Sequence, residues 1–141
     1  MENVLPKNKI ILIGLLGATA VSLGALGAHF LKSKLPTGLI TADQLAGFDT
    51  AVKYQMYHVL AMLLVVVIAK TYPNKFYNWA YNLFLAGIIL FSGSLYFLCT
   101  RNLLGAEWLR FLGPVTPLGG ICFVLGWLCL CLAVLKTDKK G

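Results

Sequence analysis

The stretch IILIGLLGATAVSLGALGAHFL, residues 10–31, decides the fold: it contains no Asp, Glu, Lys or Arg and is long enough for a membrane-crossing helix. Hydrocarbon ~30 Å thick is spanned by roughly 20 mostly apolar residues in an α-helix. Three further runs of this kind follow, at 50–70, 77–98 and 114–135. The whole chain is 59% hydrophobic and 12% charged, with a mean hydropathy of +0.80, where a soluble domain carries roughly 25% charged residues. A soluble chain of 141 residues has no interior large enough to hide so much apolar surface. Lipid is therefore the expected solvent. The expected fold is all-α: one integral membrane domain, a four-helix bundle whose short connections make neighbouring spans antiparallel. The first run is too long for the apolar core of a signal peptide, and no polar mature domain follows it.

The formal charge of +7 does not indicate nucleic acid. The twelve Lys and Arg stand in small groups at the edges of apolar runs, as in Lys7/Lys9 and Lys32/Lys34, and form no continuous basic face. Such flanks suit lipid headgroups, where each basic residue contributes about 1 kcal/mol near an anionic surface. Lys7, Lys9, Lys70, Lys75, Lys136, Lys139 and Lys140 share one side, and Lys32, Lys34, Lys53, Arg101 and Arg110 the other. The side richer in Lys faces the cytoplasm. This predicts a multi-pass protein of the inner or plasma membrane with both termini cytoplasmic, or of a mitochondrial membrane in a eukaryote. Its partners are the bilayer and either another membrane protein or further copies of the chain.

The connection from Lys32 to Asp49 contains Pro36 and Gly38, then Thr41 followed by Gln44. That spacing is a capping box, with Asp43 in the first turn. It predicts a short interfacial helix before the second span, bent or broken near Gly47. Between Arg101 and Pro114, Trp108, Leu109 and Phe111 stand among charges, a mixture suited to the membrane interface. In the first span, Gly14, Ala18 and Ser22 form one row of small residues and Ala20, Gly24 and Ala28 another. Close backbone approach drives helix association in lipid, so two rows predict a central helix with two neighbours. Gly87, Gly93, Gly119, Gly120 and Gly126 are assigned the same packing role. No glycine-rich nucleotide loop occurs.

Polar residues within spans are costly and usually face the bundle interior or a wet cavity. They gather in four segments: Gly24–His29, Phe48–His58, Phe91–Tyr96 and Gly113–Gly120. Antiparallel threading brings the ends of spans one and three beside the starts of spans two and four. The four segments are therefore expected to meet in the half of the bilayer away from the termini. Thr50, Tyr54, Tyr57, His58 and Ala61 share a helix face, and Asp49 and Lys53 are spaced as an ion pair. The candidate cluster is His29, Asp49, Lys53, Tyr54, Gln55, Tyr57, His58, Ser92, Ser94, Tyr96 and Thr116. His29 is expected among headgroups. His58 is expected either to bond a hydroxyl from Ser92, Ser94, Tyr96 or Thr116, or to serve a ligand or proton.

These segments also carry a resemblance. Gly27-Ala-His29, Thr50-Ala-Val-Lys-Tyr-Gln-Met-Tyr-His58, Phe91-Ser-Gly-Ser-Leu-Tyr96 and Thr116-Pro-Leu-Gly-Gly120 resemble the small membrane-protein family catalogued as domain of unknown function 423, whose animal relatives are called transmembrane protein 256. The likeness runs from Gly14 to Leu135. It implies a four-span protein of bacterial, animal mitochondrial or other membranes, and it implies no activity.

The residues favour a binding or assembly protein that holds a lipid or a partner membrane protein, supported by a groove lined by Tyr54, Tyr57 and Tyr96. The alternative is an oligomeric proton or small-solute transporter or channel using Lys53, Gln55 and His58. No deep acidic residue supports proton coupling. A bis-histidine haem needs His29 and His58 at similar depth, and their estimated depths differ. The four cysteines show no metal-ligand spacing and read as small hydrophobes. No hydrolase motif occurs, so the expectation is a non-enzyme without cofactor or metal.

Overall fold

The computed structural model describes residues 6–137 as four helices: α1 (Lys7–Leu31), α2 (Ala42–Thr71), α3 (Lys75–Thr100) and α4 (Val115–Thr137). Each lies in a segment long and apolar enough to cross a membrane, and no strand occurs among the described residues. The all-α four-helix membrane bundle is as expected. Lys139 and Lys140, which enter the charge asymmetry above, lie outside the described residues.

The capping box forms: Thr41 Oγ1 accepts from the Gln44 amide at 3.1 Å, and Gln44 Oε1 accepts from the Thr41 amide at 2.9 Å. It opens α2 itself, however; the connection before that span holds one 3₁₀ turn, Leu35–Thr37, and no α-helix separate from α2 among the described residues. α2 runs unbroken from Ala42 to Thr71, ~45 Å at 1.5 Å per residue. Gly47 marks a close approach where a break was expected. A Cβ there would come within 2.6 Å of Cys99 Sγ on α3. Beyond α3, the segment Glu107–Leu112 forms a 3₁₀ turn with Trp108 and Phe111 exposed and their rings stacked 5.7 Å apart.

α2 and α3 occupy the middle, with α1 packed chiefly on α2 and α4 chiefly on α3. The expectation of a central α1 is thus corrected. Only one of its small-residue faces meets a neighbour. A Cβ on Gly24 would lie 3.3 Å from Val52, and one on Gly27 would lie 3.1 Å from Phe48. On the other face a Cβ at Gly14 would meet nothing within 4 Å, and Ala18 and Ser22 are exposed. The row of small residues is there, but no helix among the described residues covers it.

α3 and α4 join through a reciprocal pair of glycine notches. Phe123 of α4 packs where a Cβ on Gly87 would be, and Phe84 of α3 packs within 2.6 Å of a Cβ position on Gly126. At Gly119 the two main chains themselves touch, because a Cβ would fall on the backbone of Leu90 and Phe91. Gly93 and Gly120 meet no such constraint. Close packing through small residues supplies dispersion contacts that lipid cannot replace.

Two apolar cores result. One, near the termini, holds Met62, Val65, Ala80, Phe84 and Phe123; the other, at the far end, holds Leu31, Ile40, Phe48 and Cys99. A layer of buried polar side chains lies between them.

Candidate functional site in the mid-membrane polar layer

The layer is built from one turn of each helix. Gln55 is buried on α2; its Nε2 donates to the Leu16 carbonyl at 2.8 Å and to Thr19 Oγ1 at 3.0 Å on α1. Its Oε1 accepts from the Tyr96 hydroxyl of α3 at 2.8 Å. One amide therefore ties three helices. Ser92 Oγ donates to the Ala51 carbonyl at 2.8 Å, and Ser94 Oγ lies 2.6 Å from Thr116 Oγ1 on α4. Helix α3 widens here into a π-turn over Ile88–Gly93, and α1 does so over Gly27–Leu31. Such turns shift side chains around the helix and recur at functional positions. Three of the four expected segments contribute, Phe48–His58, Phe91–Tyr96 and Gly113–Gly120; α1 enters through Leu16 and Thr19 instead of Gly24–His29, which packs on Val52 and Phe48.

His58 stands on the other side of α2. Its Nδ1 lies 2.7 Å from the Tyr54 carbonyl, and Trp127 Nε1 of α4 donates to its Nε2 at 3.3 Å. A carbonyl accepts only and an indole N–H donates only. Together they specify a neutral imidazole protonated at Nδ1. The ring stacks on Phe123 with centroids 3.5 Å apart and planes 9° apart, and it meets Phe84 at 5.3 Å. None of Ser92, Ser94, Tyr96 or Thr116, the partners expected from sequence, bonds it.

His58 lies ~24 Å from the start of α2 and ~20 Å from its end, hence near mid-membrane. It forms part of the floor of a groove of about 600 Å³ between α2 and α4, walled by Tyr54, Phe91, Gly120, Phe123 and Trp127. Trp127 and Tyr54 are 49% and 40% exposed. The Tyr54 hydroxyl makes no hydrogen bond among the described residues.

The other candidates disperse. His29 is exposed near the end of α1 and does not approach the His58 pocket. Asp49 and Lys53 pair at 2.6 Å on an exposed face, each 57% exposed. Tyr57 is exposed, whereas Tyr96 turns into the bundle against Phe48 and Gln55. The expected groove of Tyr54, Tyr57 and Tyr96 therefore does not form. Lys53, Gln55 and His58 face three different surroundings and line no common path. Sequence reasoning passed over Phe84, Phe123 and Trp127. Two signals were available: the repeat Phe84-x-x-Gly87 and Phe123-x-x-Gly126, and a Trp in the middle of a span when interfaces are its usual place.

The family model described as "Protein of unknown function (DUF423)" matches residues 23–120. The UPF0382 membrane protein SAB0533 of Staphylococcus aureus (strain bovine RF122 / ET3-1) is 42% identical over 127 residues, covering 89% of this chain and 94% of its own. The UPF0382 membrane protein YwdK of Bacillus subtilis (strain 168) is 38% identical, covering 89% and 95%. A UPF0382 membrane protein of Haemophilus influenzae is 37% identical, covering 94% and 98%. No solved structure matches. The chain is thus a multi-pass membrane protein and belongs to the DUF423 family of proteins of unknown function.

Proposed function

We propose that this protein is a membrane-embedded binding protein whose groove between α2 and α4 holds a lipid-soluble amphiphile. The observation that carries this reading is the groove's chemistry at its depth. A volume of about 600 Å³ lies within the range of roughly 300–1,000 Å³ for small-molecule sites. Its walls are aromatic, with Tyr54 among them, and the Tyr54 hydroxyl has no hydrogen-bond partner among the described residues. Hydrocarbon offers that hydroxyl no hydrogen bond, and an unpaired polar group there is costly. A ligand with a carbonyl or hydroxyl on a hydrocarbon body satisfies the phenol and covers the exposed faces of Tyr54 and Trp127. His58 shapes the floor, because both of its nitrogens are already engaged by Tyr54 and Trp127.

The test is native mass spectrometry of protein released from its own membranes in mild detergent, beside a Gly120→Leu variant. A Cβ at Gly120 would meet only Phe91, at 3.9 Å, so a larger side chain there fills the groove without disturbing helix packing. The expected result is one small lipid-soluble molecule on the wild type and none on the variant. A bare wild-type chain, or equal retention by both, rejects the reading.

A further inference from the structure

At the end of the bundle that carries the termini, α1, α2 and α3 enclose a second cleft of about 320 Å³. Lys9 and Lys70 stand on its sides, and Tyr77 and Asn78 line it together with Val65, Val66 and Ala69. Lys9 is half-buried and held in place. Its Nζ donates to Asn78 Oδ1 at 2.8 Å and sits 4.6 Å from the centre of the Tyr81 ring. Those contacts are neutral. Among the described residues, every Asp and Glu (Asp43, Asp49 and Glu107) lies at the opposite end of the bundle. Two cations therefore face the cleft with no carboxylate near them among the described residues. Tyr77 is only 5% exposed, and its hydroxyl makes no hydrogen bond among the described residues.

From this arrangement we infer a binding site for a phosphate group, supplied by an anionic phospholipid of the leaflet on the side of the termini. An ammonium group carries three donors, and Asn78 uses one of those on Lys9. The remainder, with Lys70 and the Tyr77 hydroxyl, provide donors for phosphate oxygens. Basic pockets between spans on the Lys-rich side are suited to anionic headgroups. The cleft sits level with headgroups because Lys9 and Lys70 flank the apolar stretches of α1 and α2. Its Val65, Val66 and Ala69 wall continues into the hydrocarbon and gives the glycerol and first methylenes of a lipid an apolar rest. A zwitterionic lipid would bring its own cation against the two lysines, so the site selects net negative charge. This site is separate from the α2–α4 groove and shares no residue with it.

The test compares phosphatidylglycerol with phosphatidylcholine by native mass spectrometry of the full chain in mild detergent, with inorganic phosphate as a third probe. The wild type is expected to retain one phosphatidylglycerol at least ~10-fold more strongly than phosphatidylcholine, and Lys9→Gln and Lys70→Gln should each weaken it about fivefold. Lys7→Gln, an exposed lysine outside the cleft, should bind as the wild type does. Lys70 is exposed, which makes its variant informative even if Lys9→Gln disturbs the Asn78 contact. Equal retention of the two lipids overturns the inference, as does undiminished binding by Lys70→Gln. Saturation by inorganic phosphate without any lipid preference assigns the cleft to a soluble anion and overturns the lipid assignment. Gly120→Leu should leave phosphatidylglycerol retention unchanged, which keeps this outcome distinct from that of the groove.

Discussion

The Cβ that Gly119 lacks would fall on the main chain of Phe91, so α4 touches α3 there backbone to backbone. No rotamer change can relieve a clash with main chain. Gly119→Ala should therefore cost about 3 kcal/mol, at the upper end of overpacking effects. Gly14→Ala faces open space and should stay within ~0.5 kcal/mol of the wild type, like other exposed substitutions. Unfolding of the two variants in detergent or bicelles measures the difference. Equal losses would mean that the α3–α4 contact is looser than described.

Gly47 tests a contact with a side chain where Gly119 tests one with main chain. Gly47→Ala drives a methyl group to within 2.6 Å of Cys99 Sγ and should destabilise by roughly 1–3 kcal/mol. Adding Cys99→Ala removes the obstacle, so the double variant should recover most of the loss. Additive losses would instead favour a role for Gly47 in bending α2.

The Gln55 clamp predicts coupling between α2 and α3. Removing the amide with Gln55→Leu leaves the Tyr96 hydroxyl without its acceptor, an unsatisfied buried group that costs about 1–3 kcal/mol. Tyr96→Phe removes the donor and should cost less. A double-mutant cycle should return about 0.6–1.7 kcal/mol, the range from the average to the maximum for interhelical hydrogen bonds in lipid. A coupling near zero would place Tyr96 away from Gln55.

For His58, nitrogen NMR of the ring in the wild type should show the proton on Nδ1, where it bonds the Tyr54 carbonyl. Trp127→Phe removes the donor to Nε2 but leaves that carbonyl in place, so the tautomer should persist while stability falls by about 1 kcal/mol. A wild-type ring protonated at Nε2 would contradict the Trp127 contact.

How far the sequence could be read follows from the range of the interactions involved. Span composition and helix starts are local properties. The all-apolar run 10–31 and the Thr41/Gln44 box could be read directly, because hydrocarbon thickness and unpaired amides at a helix start act on consecutive residues. Antiparallel threading alone also brought together the polar segments of α2, α3 and α4, whereas α1 joins them through Leu16 and Thr19 and not through Gly24–His29. Which face of a helix meets which neighbour is not local. Gly14 and Gly24 both lie in small-residue rows, yet only Gly24 is covered, because the placement of α1 depends on how α2 and α3 fill the centre. The partner of His58 likewise lies 69 residues away on α4, brought there by Phe84 and Phe123 seated over each other's glycines. Nor did the sequence mark the π-turns at Gly27–Leu31 and Ile88–Gly93, which α-helical periodicity cannot anticipate. The residues alone fix four membrane-crossing helices, their antiparallel order and the polar segments of α2, α3 and α4 that come together. The tertiary structure alone decided that Gln55 closes inward while Tyr54 and Trp127 open to lipid, because that choice rests on helix rotation, set by side-chain volumes distant in the chain.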